Sequence, residues 1–257
     1  LAVQTPAVVV RGPYLQLGTP TSMVLRWRTD IVSETHVRYG TDPANLNLAF
    51  SDPAQTAEHA AALVALQPGT RYYYEIGTLQ SWFTRTPDNY FVTAPVPGLA
   101  QSTRIWVLGD SGAANANAAA VRDGYLTYAA TRPSDLGLLL GDNAFLNGTD
   151  PEYQAALFTM YPALLSHTVL WPALGDFDTA GSANPPADLP YFNIFNLPGS
   201  GEAGGVASGT EKYYSFNHAN IHFIALDSMS SDRGDTGPMV AWLTSDLAAN
   251  TQPWVVA

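Results

Sequence analysis

A chain of 257 residues, 46% of them hydrophobic, has material for one or two cored domains, and none of its apolar runs approaches the ~18–20 residues that a membrane helix needs. A net charge of −11, with Lys212 the only lysine, argues against nucleic acid as a partner, since phosphate backbones are held by clustered Lys and Arg. With no cysteine, disulfides and thiolate metal sites are excluded, so any metal must be held by oxygen and nitrogen.

The chain opens on Leu1 instead of Met, which reads as a processed start whose missing segment fits a signal peptide. Together with low charge and abundant Ser, Thr, Asn and Gly, this gives the expectation of a secreted or cell-surface protein. From Val8 to about Thr86 short alternating segments are separated by turn residues: VVVRGPYLQLG, SMVLRWRTD, THVRYGTDP, AALVALQPGTRYYYEIG and SWFTRTP. That spacing predicts an all-β sandwich. Within it, LQPGTRYYYEI has the form of a tyrosine corner, in which Tyr72 or Tyr74 bonds its hydroxyl back to the backbone.

Residues 87–102, PDNYFVTAPVPGLAQS, are rich in Pro, Gly and small side chains and read as a linker, dividing the chain into domains at 1–100 and 101–257. Beyond it, apolar strands of four to six residues alternate with helical stretches at Asn115–Thr131 and Glu152–Leu165, which predicts parallel β-α-β units. YYSFNHANIHFIALDS reads as two strands, PMVAWLTSDLAAN as a helix and PWVVA as the start of a further strand. Trp106, Trp171 and Trp242 are expected in the core, and the glycine-rich loop Gly199–Thr210 either rims a cleft or is flexible.

Three apolar strands end alike: IWVLGDSG at Gly109-Asp110, LGLLLGDNAF at Gly141-Asp142 and PALGDFD at Gly175-Asp176. Ligands of open α/β sheets bind at the carboxyl ends of the strands. Three like charges gathered there call for a cation to neutralise them; the bland alternative is three solvated loop aspartates. Among the histidines, His222 alternates with Ile221 and Phe223 and reads as a core residue, and His218 as a solvent-facing turn residue. His36, His59 and His167 lack partners at ligand spacing. Asp227 reads either as a loop anchor or as a group supporting the metal ligands from behind.

The order GDSG, GDNAF, GDFD and then GTEKYYSFNHANIHFIALDS resembles the purple acid phosphatases of the calcineurin-like metallophosphoesterases, and the N-terminal segment resembles their fibronectin type III-like domain. That resemblance implies a phosphate monoester hydrolase with two metal ions, Fe, Zn or Mn, and a small phosphate ester as substrate. Carried over by position, Asp110 matches a ligand of the first metal, Asp142 the bridging carboxylate, and Asp176 an asparagine that binds the second metal. Asp178 matches the acidic residue that orients a catalytic histidine.

The departures are as specific as the matches. Phe145 stands where the family has its iron-binding tyrosinate, which implies a colourless protein, and Phe177 stands where it has the catalytic histidine. The two later histidine motifs have no counterpart in the sequence. A carboxylate-only site favours hard ions, so Ca²⁺ or Mg²⁺ join the metals to be considered. Two functions follow: a metallophosphatase, or a catalytically degenerate relative serving as an extracellular structural or binding protein, with self-association through the N-terminal domain.

Overall fold

The computed structural model describes residues 6–83, 89–180, 182 and 188–257. The N-terminal part is a five-stranded antiparallel sheet made of β1 (Val9–Gln16), β2 (Met23–Gly40), β3 (Leu48–Leu63), β4 (Arg71–Gly77) and β5 (Tyr90–Val92), in the order β1-β2-β4-β5 with β3 on β2. The segments SMVLRWRTD and THVRYGTDP, read as separate strands, form the single 18-residue strand β2. Its register slips between Arg28 and Thr35, where Asp30, Ile31 and Val32 turn to solvent; the half before pairs with β1 and the half after with β4. Alternation sends Met23, Leu25 and Trp27, then Val37 and Tyr39, into the core.

Of the two candidate corner tyrosines, Tyr72 accepts a bond from the Gln67 backbone N–H at 3.0 Å, while Tyr74 donates to the Ser166 carbonyl at 2.6 Å, outside its own sheet. Part of the expected linker is not a linker. Tyr90–Val92 pairs with β4 and Phe91 is fully buried; the surrounding Pro and Gly concealed a three-residue strand. Residues 87 and 88 of that stretch lie outside the described residues. His59 is a core residue, stacked on Trp27 and held between the hydroxyls of Thr29 and Thr35; burial pushes its pKa down to about 4.

The remainder is an α/β region with two three-stranded sheets. In the first, β6 (Ile105–Leu108), β7 (Leu136–Leu139) and β8 (Leu170–Pro172) are parallel in that order, separated by α1 (Ala116–Ala129), α2 (Asp150–Tyr153) and α3 (Pro162–Leu165). Next come α4 (Pro190–Ile194), β9 (Tyr214–His218), β10 (Ile221–Ala225), α5 (Pro238–Ala249) and β11 (Trp254–Val256). In the second sheet β10 lies between β9, antiparallel, and β11, parallel. The predicted Glu152–Leu165 helix is broken: a π-helical turn spans Gln154–Phe158 and α3 restarts at Pro162. Among the described residues proline is first in α3, α4 and α5 and second in α2, where its missing N–H has no intrahelical carbonyl to lose.

One apolar core runs through both parts. Tyr14 and Trp27 of the N-terminal sheet share it with Phe158, Tyr161 and Trp171. Trp106, Trp171 and Trp242 are all buried, as expected. Polar bonds tie the same seam: the Arg11 and Arg28 guanidiniums both donate to the Asp150 carboxylate, and Tyr14 and Arg26 donate to the Ile194 carbonyl.

The glycine-rich loop is anchored and not free. His222 bonds Asn217 Oδ1 through Nδ1 and Asp246 through Nε2, both at 2.7 Å. Asp246 in turn accepts from the Val206 N–H and the Ser215 hydroxyl, and Asn217 Nδ2 donates to the Gly204 carbonyl. Since Asn217 has its amide N–H committed to Gly204, both groups facing the His222 ring nitrogens are oxygens. The reading of His222 as a packed core histidine holds.

Candidate metal centre at the strand ends

Because β6, β7 and β8 run parallel and in register, Leu108 opposite Leu139 and Leu139 opposite Pro172, the loops that follow them leave the same edge of the sheet. Backbone bonds then join them: the Asp110 N–H donates to the Gly141 carbonyl, the Gly112 N–H to the Asp142 carbonyl, and the Phe145 N–H to the Gly112 carbonyl. Asp110 and Asp142 both take left-handed backbone angles, φ 56° and 55°, which aspartate tolerates better than most side chains. Gly175 is required by space, since a Cβ there would fall 2.0 Å from Asp142 Oδ1.

Asp142 is the electrostatic centre of the group. Burial raises its pKa, an N–H from Phe177 at 3.2 Å lowers it, and the neighbouring charges of Asp176 and Asp110 raise it again. A side-chain interaction with Asp176 raises it as well, whereas Asp110 acts on Asp142 only through its charge. Among the described residues no set of three or more His, Asp or Glu side chains stands close enough together to hold an ion. The donors are hard carboxylate oxygens with an uncompensated negative field, which fits an oxygen-seeking cation; no imidazole completes the set.

Phe145 and Phe177 pack against each other here, ring centroids 4.7 Å apart and planes at 54°. Both are half-buried, and Phe145 also lines an open cleft of about 450 Å³ with Leu146, Ala113, Ala114 and Pro151. Neither ring can exchange a proton or hold a charged oxygen.

Asp178 is enclosed completely and knits the loops together. It accepts the Tyr153 hydroxyl at 2.6 Å, the Gly175 N–H and Asn143 Nδ2 at 2.9 Å, and the Asn143 N–H at 3.1 Å. Burial nevertheless pushes its pKa up to about 6, the donors opposing. With the folded value above the ordinary one near 3.8, this group's favourable contribution is complete below that value and is lost as pH rises through about 6. Asp178→Asn would turn an amide N–H toward the Gly175 and Asn143 donors, so we expect it to lower unfolding free energy by about 2 kcal/mol in a denaturant titration.

Sequence reasoning missed the partners of Asp178. Tyr153 belongs to no recognisable motif, and Asn143 is visible only as the residue of GDNAF that follows the second carboxylate. His218, expected to face solvent, is half-buried, because the turn it enters folds under the N-terminal sheet. Asp227 is the loop anchor expected, fully buried and accepting from Met229, Ser230 and Ser231.

Comparison with known proteins points the same way. Residues 10–94 match the family model described as the purple acid phosphatase N-terminal domain. Over 95% of the chain, the sequence is 25% identical to purple acid phosphatase 23 of Arabidopsis thaliana, covering 63% of that protein; purple acid phosphatase 15 of the same plant is 27% identical over 77% of the chain and 40% of its own length. The probable inactive purple acid phosphatase 9 is 24% identical over 83% of the chain and 37% of its own length. The chain thus spans less than two thirds of the length of these relatives. Among solved structures, PhoD superposes with a TM-score of 0.73 at 14% identity, covering 99% of this chain and 62% of that one. A purple acid phosphatase from yellow lupin (Lupinus luteus) seeds gives 0.66 at 17%, covering 95% and 50%.

With its β-rich N-terminal part and a parallel sheet bearing acidic loops at its strand ends, the chain thus resembles the metallophosphoesterases. Within that class its likeness is to the purple acid phosphatases, and residues 10–94 match their N-terminal domain.

Proposed function

We propose that this chain is the acidic half of a metal-dependent phosphoesterase site of the acid phosphatase type, acting on small phosphate monoesters. The observation that carries the reading is the gathering of the loops bearing Asp110, Asp142 and Asp176 at the carboxyl edge of three parallel strands, where Asp176 and Asp110 act electrostatically on Asp142. Asp142 and Asp176 would hold the cation, and Asp110 would join them only as the ion draws the three carboxylates closer together than they stand here. A bound metal of this kind supplies an activated water and positive charge for the phosphoryl oxygens. Asp178, through Tyr153, Asn143 and Gly175, fixes the loop that presents Asp176 and is a positioning residue. The Phe177 N–H holds Asp142 Oδ1, and the Phe177 ring packs on Phe145.

The division at residues 100 and 101, a fibronectin type III-like topology for the first part, secretion and self-association through the N-terminal sheet belong to the same reading. No helix among the described residues is long and apolar enough to cross a membrane. A catalytically silent binding protein is the competing reading, and the Phe145–Phe177 pair is what supports it.

The test is metal binding. Titrating Mn²⁺, Ca²⁺ and Zn²⁺ into the chain by calorimetry should show binding of at least one ion together with a raised unfolding temperature, since a ligand that binds only the folded state stabilises it. Asp142→Asn should abolish both effects. Unchanged binding in that variant would place the metal elsewhere.

A further inference from the structure

A second cavity, of about 190 Å³, lies at the other pole of the α/β region, between it and the N-terminal sheet. Asp135 and His167 stand just before β7 and β8, the strands whose far ends carry the carboxylates; His218 closes β9, and Arg71, Tyr90 and Thr93 come from the N-terminal sheet. At ~30 Å³ per water the space holds about six waters, the size of a small metabolite.

Its charges are opposite, and among the described residues neither is in an ion pair. The Arg71 guanidinium rests 4.3 Å over the Tyr90 ring, which His167 also stacks on at 5.1 Å, and among the described residues Arg71 donates no hydrogen bond and makes no ion pair. Facing it from the other part of the fold, Asp135 uses Oδ2 to accept the Arg104 N–H at 2.7 Å and leaves Oδ1 open. Its charge also reaches His218, opposing the fall in that imidazole's pKa that burial causes. A simple anion drawn to Arg71 would meet the Asp135 carboxylate, and a simple cation drawn to Asp135 would meet Arg71. A ligand carrying both charges satisfies both walls, while Val92 and Val169 offer apolar surface between them.

We propose that this cavity binds a free α-amino acid, its carboxylate on Arg71 and its ammonium on Asp135. The whole chain should be titrated near neutral pH by calorimetry with glycine, L-alanine, L-proline and L-phenylalanine, and with acetate and methylammonium as half-ligands. At least one amino acid should bind, about tenfold or more tightly than either half-ligand. Arg71→Gln and Asp135→Asn, both at exposed side chains, should each weaken it about 10- to 100-fold and leave the unfolding midpoint in place. The proposal is overturned if none of the four amino acids binds, if acetate binds as well as the best of them, or if either variant binds it unchanged. The half-ligand comparison needs only the unaltered chain and does not depend on the variants folding.

Discussion

Replacing Asp150 with alanine is expected to lower unfolding free energy by about 3 kcal/mol. Asp150 sits at the start of α2 and takes two hydrogen bonds from each of the Arg11 and Arg28 side chains, at 2.6–3.0 Å. Arg11 is wholly enclosed whereas Asp150 is 37% exposed, so solvent screens the pair and places the loss at the low end for a broken buried ion pair. What remains after the substitution is a buried guanidinium with Gln154 alone as side-chain partner. Leu and other apolar replacements at Asp150 should behave alike, because the damage is the stranded charge.

The same pair predicts acid sensitivity. Bonds from Arg28, and then Arg11, hold the Asp150 pKa down at about 2. With the folded value below the ordinary one, the stabilisation is complete above the ordinary carboxylate range and is lost as pH falls through about 2. Thermal unfolding followed from pH 5 down to pH 2 should show a steeper decline for the unaltered chain than for Asp150→Ala.

The second large effect concerns chemistry. Given the proposed phosphoesterase reading, the chain as it stands should release nitrophenol from an aryl phosphate about two to four powers of ten more slowly than a Phe177→His, Asp176→Asn variant assayed with added Mn²⁺ or Zn²⁺. A phenyl ring provides neither a proton for the leaving oxygen nor a donor for the phosphoryl group. Residual turnover should favour aryl over alkyl esters, whose leaving groups need protonation more. A variant that binds metal as the parent does yet gains no rate would sink the enzyme reading and leave the silent binding protein.

How much of this was readable beforehand depended on distance along the chain. The three Gly-Asp strand ends were legible because each is a local signal, an apolar run closed by a carboxylate, and parallel pairing is what brings local signals to one edge. The Arg11–Asp150 clamp was not, since its partners are 139 residues apart and neither has a distinctive neighbourhood. Strand β5 was hidden by the prolines around it, and the break in the second helix by the strong helical composition of Gln154–Phe158, where the chain widens to a π turn. Asp178 was noticed only for a family role; its four donors come from Tyr153 of α2, Asn143 after β7 and Gly175 of its own loop, and the first two could be found only in three dimensions.

The bonding between the two left-handed aspartate loops has a further implication. Asp110 and Asp142 follow neighbouring strands, and their main chains are stitched to each other before either side chain meets a ligand. Adjacent strands lie ~4.8 Å apart, so the sheet itself acts as a ruler that presets the spacing of these two carboxylates. Such a ruler is indifferent to what the later parts of a chain contribute. Substitutions such as those at Phe145 and Phe177 change what the site can do, while the interval between its first two oxygens stays written into the hydrogen-bond ladder.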